Sequence, residues 1–263
     1  MTALTNDSLL AVADRLGVQT LPLALSIGPR QDSFDEFRAA QERAVADLTA
    51  VGVIDPDGDV DPDLAAALFT LSQPEYELAL RVYGEGGTRR ACLVRRGAEH
   101  AVAVRVGDRV EVRSAWVDGS GAALAAPLLA VLDSVSAAEV ASLSAPTDEL
   151  AARLNAAGTV AEYTDAMYAL GAAERDATVL GSAFGSCHTY AEIVASTHHD
   201  GLTTRVPGTV AIYDTARGRI VVAPMVAPDR QVWSTVTPGT DHRVAQAITA
   251  LIDGLPGGRW LPR

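Results

Sequence analysis

Five aspartates crowd into Val53–Leu64, "VIDPDGDVDPDL", an oxygen-rich stretch of the kind that can hold calcium. An EF-hand loop needs glycine at its sixth position and a bidentate glutamate at its twelfth. With Asp55 in first place the sixth residue is Val60; with Gly58 in sixth place the first and twelfth are Val53 and Leu64. Neither register works. The stretch reads instead as a solvated turn in which Asp61 caps a helix that starts at Pro62. "YGEGGTRRA", from Tyr83, has three glycines but lacks the Gly-Lys-Ser/Thr ending of a phosphate loop, and it joins two strand-like runs. "CHTYAEIVASTHHDG", from Cys187, supplies Cys187, His188, His198 and His199. Neighbours on a strand face opposite sides, so His198 and His199 make poor joint ligands for one metal. "GSAFGS", from Gly181, is not a nucleophile elbow. The sequence therefore predicts no metal, no cofactor and no catalytic residue. The alternative is an enzyme or small-molecule-binding protein with an unrecognised site, such as a pocket under His188 or His199. A weaker alternative is a structural adaptor that dimerises through its sheet.

The elements that could position a site are legible from periodicity. Helices are expected over Asn6–Leu16, over Phe34–Val51 behind a Ser33/Glu36 capping box, and from Pro62 to about Leu71. "TLPLALSI", Thr20–Ile27, reads as a short strand. Four strand-like runs then follow: "YELALRVYG", "RACLVRR", "HAVAVRV" and "RVEVRSAWV". Gly and Asp turns divide them, which makes an antiparallel meander. A helix over Ala122–Ser134 closes the first half. Ser136–Glu139 reads as a second capping box, opening a helical pattern that runs to about Leu180 with breaks at Pro146 and Gly158. A second meander, "CHTYAEIVAST", "GTVAIYDT", "RIVVAPMVA" and "RQVWSTVT", leads into a last helix over Asp241–Asp253.

Ala98–Ser136 pairs with Gly218–Pro256 without gaps, and nine of the 39 pairs are identical. The apolar face Leu124, Leu128, Val131, Leu132, Val135 repeats as Val244, Ile248, Leu251, Ile252, Leu255. Gly119 and Gly239 fall at the same point before each helix. An internal duplication with quasi-twofold symmetry is expected, as one α+β domain over residues 1–263 with halves of about 1–136 and 137–263.

Of 263 residues, 48% are apolar, enough for a sizeable core. The formal charge is 21 − 33 = −12, which disfavours nucleic acid and anionic membrane as partners. The longest run free of Asp, Glu, Lys and Arg is 15 residues, Ala177–Ala191, too short to span a bilayer. The opening residues lack a basic n-region, so a cytosolic location is expected. Cys92 and Cys187 are expected as free thiols.

Several stretches together resemble the EspG family, chaperones of actinobacterial type VII (ESX) secretion. They are "LPLAL" from Leu21, "ERAVADLTAVGVIDPDGDVDPDLAAALFTLSQP" from Glu42 and "YGEGGTRRACLVRRG" from Tyr83. "YDTARGRIVVAP" from Tyr213 and "WSTVTPGTDHRVAQAITALIDGLP" from Trp233 complete the set. The resemblance implies a central antiparallel sheet flanked by two helical bundles. It implies a cytosolic protein that binds the apolar helical tip of a PPE-type subunit in a PE–PPE heterodimer and keeps it soluble for secretion. Alone, the chain is expected to be a monomer or weak homodimer. The loop between the second and third strands, with the sheet and the C-terminal bundle, forms the family's partner surface. Here that loop matches Gly84, Glu85, Gly86, Gly87, Thr88, Arg89 and Arg90. Arg89 and Arg90 would make a local positive spot of exposed turn residues on an acidic chain.

Overall fold

The computed structural model describes residues 3–262. A two-residue strand β1 (Leu4–Thr5) leads into helices α1 (Asn6–Arg15), α2 (Phe34–Ala50) and α3 (Pro62–Ser72). Strands β2 (Tyr76–Gly84), β3 (Gly87–Arg96), β4 (Glu99–Val106) and β5 (Arg109–Ala115) follow, then α4 (Gly121–Leu129). The second half runs β6 (Leu143–Pro146), α5 (Thr147–Ala156), α6 (Val160–Ala169), α7 (Glu174–Phe184) and β7 (Cys187–His199). It continues with β8 (Leu202–Arg205), β9 (Val210–Thr215), β10 (Gly218–Val226), β11 (Val232–Pro238) and α8 (Asp241–Asp253).

The eleven strands of the described residues belong to one antiparallel sheet, in the order β1-β5-β4-β3-β2-β7-β9-β10-β11-β6, with β8 a spur on β7. The order reads the same outward from the β2–β7 pair in both directions. That pair joins the halves through the register Tyr76↔Thr197 to Tyr83↔Tyr190. The fold class is α+β, as expected from the helices and the two strand meanders.

Alternation along β2 decides which face is dry. Leu78, Leu80 and Val82 point to one face and meet Ala191, Ile193 and Ala195 of β7 beneath α4 and α8. Each such leucine gains about 1.5–3 kcal/mol from burial. The opposite face carries two separate cores. Leu68 and Leu71 of α3 pack on Cys92, Val94 and Ala103; Leu180 and Phe184 of α7 pack on Ala211, Ile220 and Val222. Neither bundle covers the middle, where Ala79 and Val194 form a small cluster with Ala24. Cys92 is buried, Cys187 is exposed, and both are free.

Several expectations need correction. Thr20–Ile27 is not a strand. Pro22 has no N–H to give a ladder, and its carbonyl closes a 3-10 turn over Leu23–Leu25 (Leu25 N to Pro22 O, 3.0 Å). Helix α4 stops at Leu129 instead of Ser134. The expected capping box at Ser136–Glu139 does not form. The chain there is extended beside β10, with the Arg219 N–H donating to Ser136 O at 2.7 Å and Ala138 N–H to Arg219 O at 2.9 Å. The long helical pattern to Leu180 is an edge strand and three helices, and the break near Gly158 is a full capping box between Thr159 and Glu162.

The ungapped repeat is also corrected in part. The helices α4 and α8 start in step, at Gly121 and Asp241. The strands before them do not. β4 turns into β5 with Val106 opposite Arg109, whereas β10 turns into β11 with Val226 opposite Val232. The longer second turn and the shorter link to α8 compensate, so Val112/Val232 and Ser114/Ser234 occupy inequivalent strand positions. Gly119 and Gly239 differ too. Gly119 has φ +78°, while a side chain on Gly239 would sit 2.7 Å from the Arg219 backbone.

Beyond α8 the chain turns back, and Trp260 is buried among residues at the end of the α4/α8 face. Its ring meets Tyr76 edge-on at 5.8 Å and lies over His100 at 6.3 Å. Burial, and then the nearby Arg95 guanidinium, push the His100 imidazole below its ordinary pKa. His100 is therefore neutral in the fold, and the unfolded chain takes up its proton first. The stability this provides is complete above about pH 6.5 and is lost as pH falls from there toward the lower folded-state value. The denaturant midpoint should drop between pH 7.5 and 5.5, and His100→Phe should flatten that drop. An unchanged slope in the variant would contradict the assignment.

Candidate protein-docking surface

The uncovered middle of the sheet is a shallow groove of about 350 Å³ between the two bundles. Its floor is the outward side of β2 and β7. Ala79 and Val194 are buried there, and hydrogen-bonded polar side chains flank them. Arg81 Nη1 donates to Glu192 at 3.0 Å, and the Tyr83 hydroxyl donates to the same carboxylate at 3.4 Å. His198 Nε2 lies 3.0 Å from Glu77, with its Nδ1 3.0 Å from the Thr203 hydroxyl. Tyr83 stacks on Tyr190, which tilts against Tyr213, and Tyr213 meets Phe184 edge-on at 5.1 Å. An aromatic ladder thus runs from the groove into the second bundle. Burial raises the Tyr213 phenol well above its ordinary pKa.

The hairpin Gly84–Arg90 stands at one end of this floor. Glu85 and Gly86 form a two-residue turn between Gly84 and Gly87, and Gly87 takes φ +90°. Glu85, Gly86 and Gly87 are exposed; Gly84, Thr88, Arg89 and Arg90 are half-buried. The expected positive spot of exposed turn residues is not there. Arg89 forks onto Asp133 at 3.0 and 2.8 Å, which holds that carboxyl below the usual range. Arg90 Nη1 donates to Ala24 O at 3.3 Å. Both arginines brace the fold, so charge reversal there disturbs internal contacts as well as any docking.

The histidines do not assemble. His188 is exposed beside the hairpin, and His199 is exposed next to Asp200. They stand at opposite ends of β7, about 36 Å apart by strand rise. Among the described residues no group of three or more His, Cys, Asp and Glu is placed to hold a metal ion. No helix of these residues is long and apolar enough to cross a membrane. The surface offers a shallow floor of hydrogen-bonded polar side chains with apolar and aromatic edges, which suits another protein better than a small ion.

Comparison with known sequences decides the family, since the EspG family model matches residues 5–250. The chain belongs to the EspG family. The ESX-3 secretion-associated protein EspG3 of Mycolicibacterium smegmatis is 32% identical over 260 residues, covering 98% of this chain and 88% of that protein. The ESX-1 secretion-associated protein EspG1 of Mycobacterium tuberculosis is 32% identical over 262 residues, with the same coverages of 98% and 88%. Among solved structures, the type VII secretion chaperone EspG5 of M. tuberculosis, in complex with the PE25–PPE41 dimer, aligns with a TM-score of 0.81. Identity there is 19%, and 98% of each chain is covered, so the EspG fold is shared throughout.

Two features of this EspG-family surface escaped sequence reading. Leu23 lies in a stretch that reads as a strand, with Pro22 consistent with an edge or first strand position. The central groove has no motif. It follows from strand order, which brings Glu77, Arg81, Glu192 and His198 together from positions more than 100 residues apart.

Proposed function

We propose that this protein is a cytosolic, non-catalytic chaperone of type VII (ESX) secretion. It binds the apolar helical tip of a PPE-type subunit within a PE–PPE heterodimer, keeps it soluble and directs it to the secretion apparatus. The observation that carries the reading is full-length EspG-family membership, together with a fold shared with a chaperone solved on its PE–PPE dimer. The groove supports it, being shallow and open where a catalytic pocket is enclosed. An exposed apolar helix end drives aggregation until a complementary surface covers it. The hairpin Gly84–Arg90, the central sheet and the second bundle are the proposed contact surface.

The chain works as one domain of two similar halves, and the palindromic strand order about β2–β7 supports that division. Splitting it would strip the β2–β7 pairing from both parts. Co-expression tests the function. A neighbouring PE–PPE-like pair should be recovered mostly in the soluble fraction with this protein and mostly in the pellet without it. Equal solubility in both cases, and no co-purification, would contradict the proposal.

A further inference from the structure

Among the described residues, Leu23 has the greatest exposure, 91%, of the exposed large apolar side chains. It does not sit on a loose loop. Its turn is closed by Leu25 N to Pro22 O at 3.0 Å and Ser26 N to Leu23 O at 3.1 Å. The next two residues are buried: Ala24 on Ala79 and Val194, and Leu25 in the first bundle's core. Ser26 is held in the left-handed region at φ 55°, unusual for a residue with a side chain. Two guanidinium groups fix the turn's carbonyls. Arg90 donates to Ala24 O, and Arg105 donates to Leu25 O at 2.8 Å and to Ser26 O. The fold thus holds a strained turn firmly and presents a bare leucine at its apex, where burial contributes nothing to folding. Strain kept by such over-determined contacts marks functional surfaces.

The place of the knob matters as much as its rigidity. The turn lies over β2 and β3 on one side of the groove, and the spur β8, with Thr203 and Arg205, lies beyond β7 on the other. A stable specific interface covers roughly 800 Å² on each partner, more than the three exposed residues of the β2–β3 turn can supply. The surface next to that hairpin is this turn, since Arg90 of the hairpin bonds to it. Within the groove Arg81 pairs with Glu192, and Glu77 shares a hydrogen bond with His198. Between these polar contacts the floor presents Ala79 and Val194, which with Leu23 suit the apolar surface of a partner.

Resting on the chaperone reading above, we infer that Leu23 is an anchor of the docking surface. It inserts among the apolar side chains at the end of the PPE-type subunit's helical hairpin, while that end lies over Ala79 and Val194. The test compares wild type, Leu23→Asp and Leu23→Met by titration calorimetry against a purified co-encoded PE–PPE-like pair, with size-exclusion chromatography of each protein alone. Leu23→Asp should weaken binding at least tenfold and Leu23→Met by less than about threefold, with thermal midpoints unchanged. If wild type binds and Leu23→Asp binds equally well, the anchor is refuted and the chaperone reading stands. If wild type binds no such pair, the chaperone reading falls and the assignment falls with it. If wild type alone is a dimer that Leu23→Asp converts to monomer, the occupant is a second copy, which also overturns the inference.

Discussion

Replacing Asp214 with alanine should remove about 3–5 kcal/mol of stability and lower the thermal midpoint by roughly 10 °C. Asp214 is buried at 1% side-chain exposure against Arg219 at 4%. Arg219 Nε and Nη2 donate to its two oxygens at 2.6 and 2.9 Å, and Nη2 also donates to Asp133 O at 2.7 Å. The backbone of Arg219 adds three more bonds, to Ser136, Ala138 and Gly239, each at 2.7–2.9 Å. One residue thus ties the segment after α4 and the entry to α8 onto β10. Without Asp214 its cation is stranded in an apolar interior, and that uncompensated charge is the source of the loss. The pair's attraction itself is largely offset by its desolvation. The double variant Asp214→Leu with Arg219→Met should therefore recover much of what Asp214→Ala loses. Urea unfolding of the three proteins decides the point. A loss below about 1 kcal/mol for Asp214→Ala would show that the cation is not confined.

Trp260→Ala should cost a comparable 3–5 kcal/mol. The ring is 2% exposed and belongs to the core under α4 and α8, against Tyr76 and His100. Its Nε1 has no hydrogen-bond partner among the described residues, where the ring contributes packing. Trp260→Phe should therefore keep most of the stability, and truncation after Gly258 should match the alanine variant. A truncated protein as stable as the full chain would show that the C-terminal turn is an appendage.

The contrast between these two sites explains what sequence can disclose. Repeating local patterns were readable. The apolar run Leu78, Leu80 and Val82 specifies a strand with one apolar face, and Asp61-Pro62 specifies a helix start, with Leu64 N donating to Asp61 at 2.9 Å. The order of the elements then constrains the sheet. Long-range pairings were not readable. Ser136–Glu139 satisfies a capping rule locally, but Arg219 offers its backbone a better partner from 80 residues away. Arg89 and Arg90 read as turn cations because nothing near them in sequence announces Asp133 or the Ala24 carbonyl. The repeat was detectable through its helices, whereas a compensating shift in turn lengths made the strand alignment misleading. Leu23 shows the same limit at the candidate site: its exposure depends on a clamp made by residues 67 and 82 positions away.

Size-exclusion chromatography with light scattering, on this protein mixed with a purified co-encoded PE–PPE-like heterodimer, tests the central claim most directly. A single soluble species with the mass of one copy of each of the three chains is the predicted result. Separate elution of this protein and of every such pair, at micromolar concentrations and near-neutral pH, would contradict it.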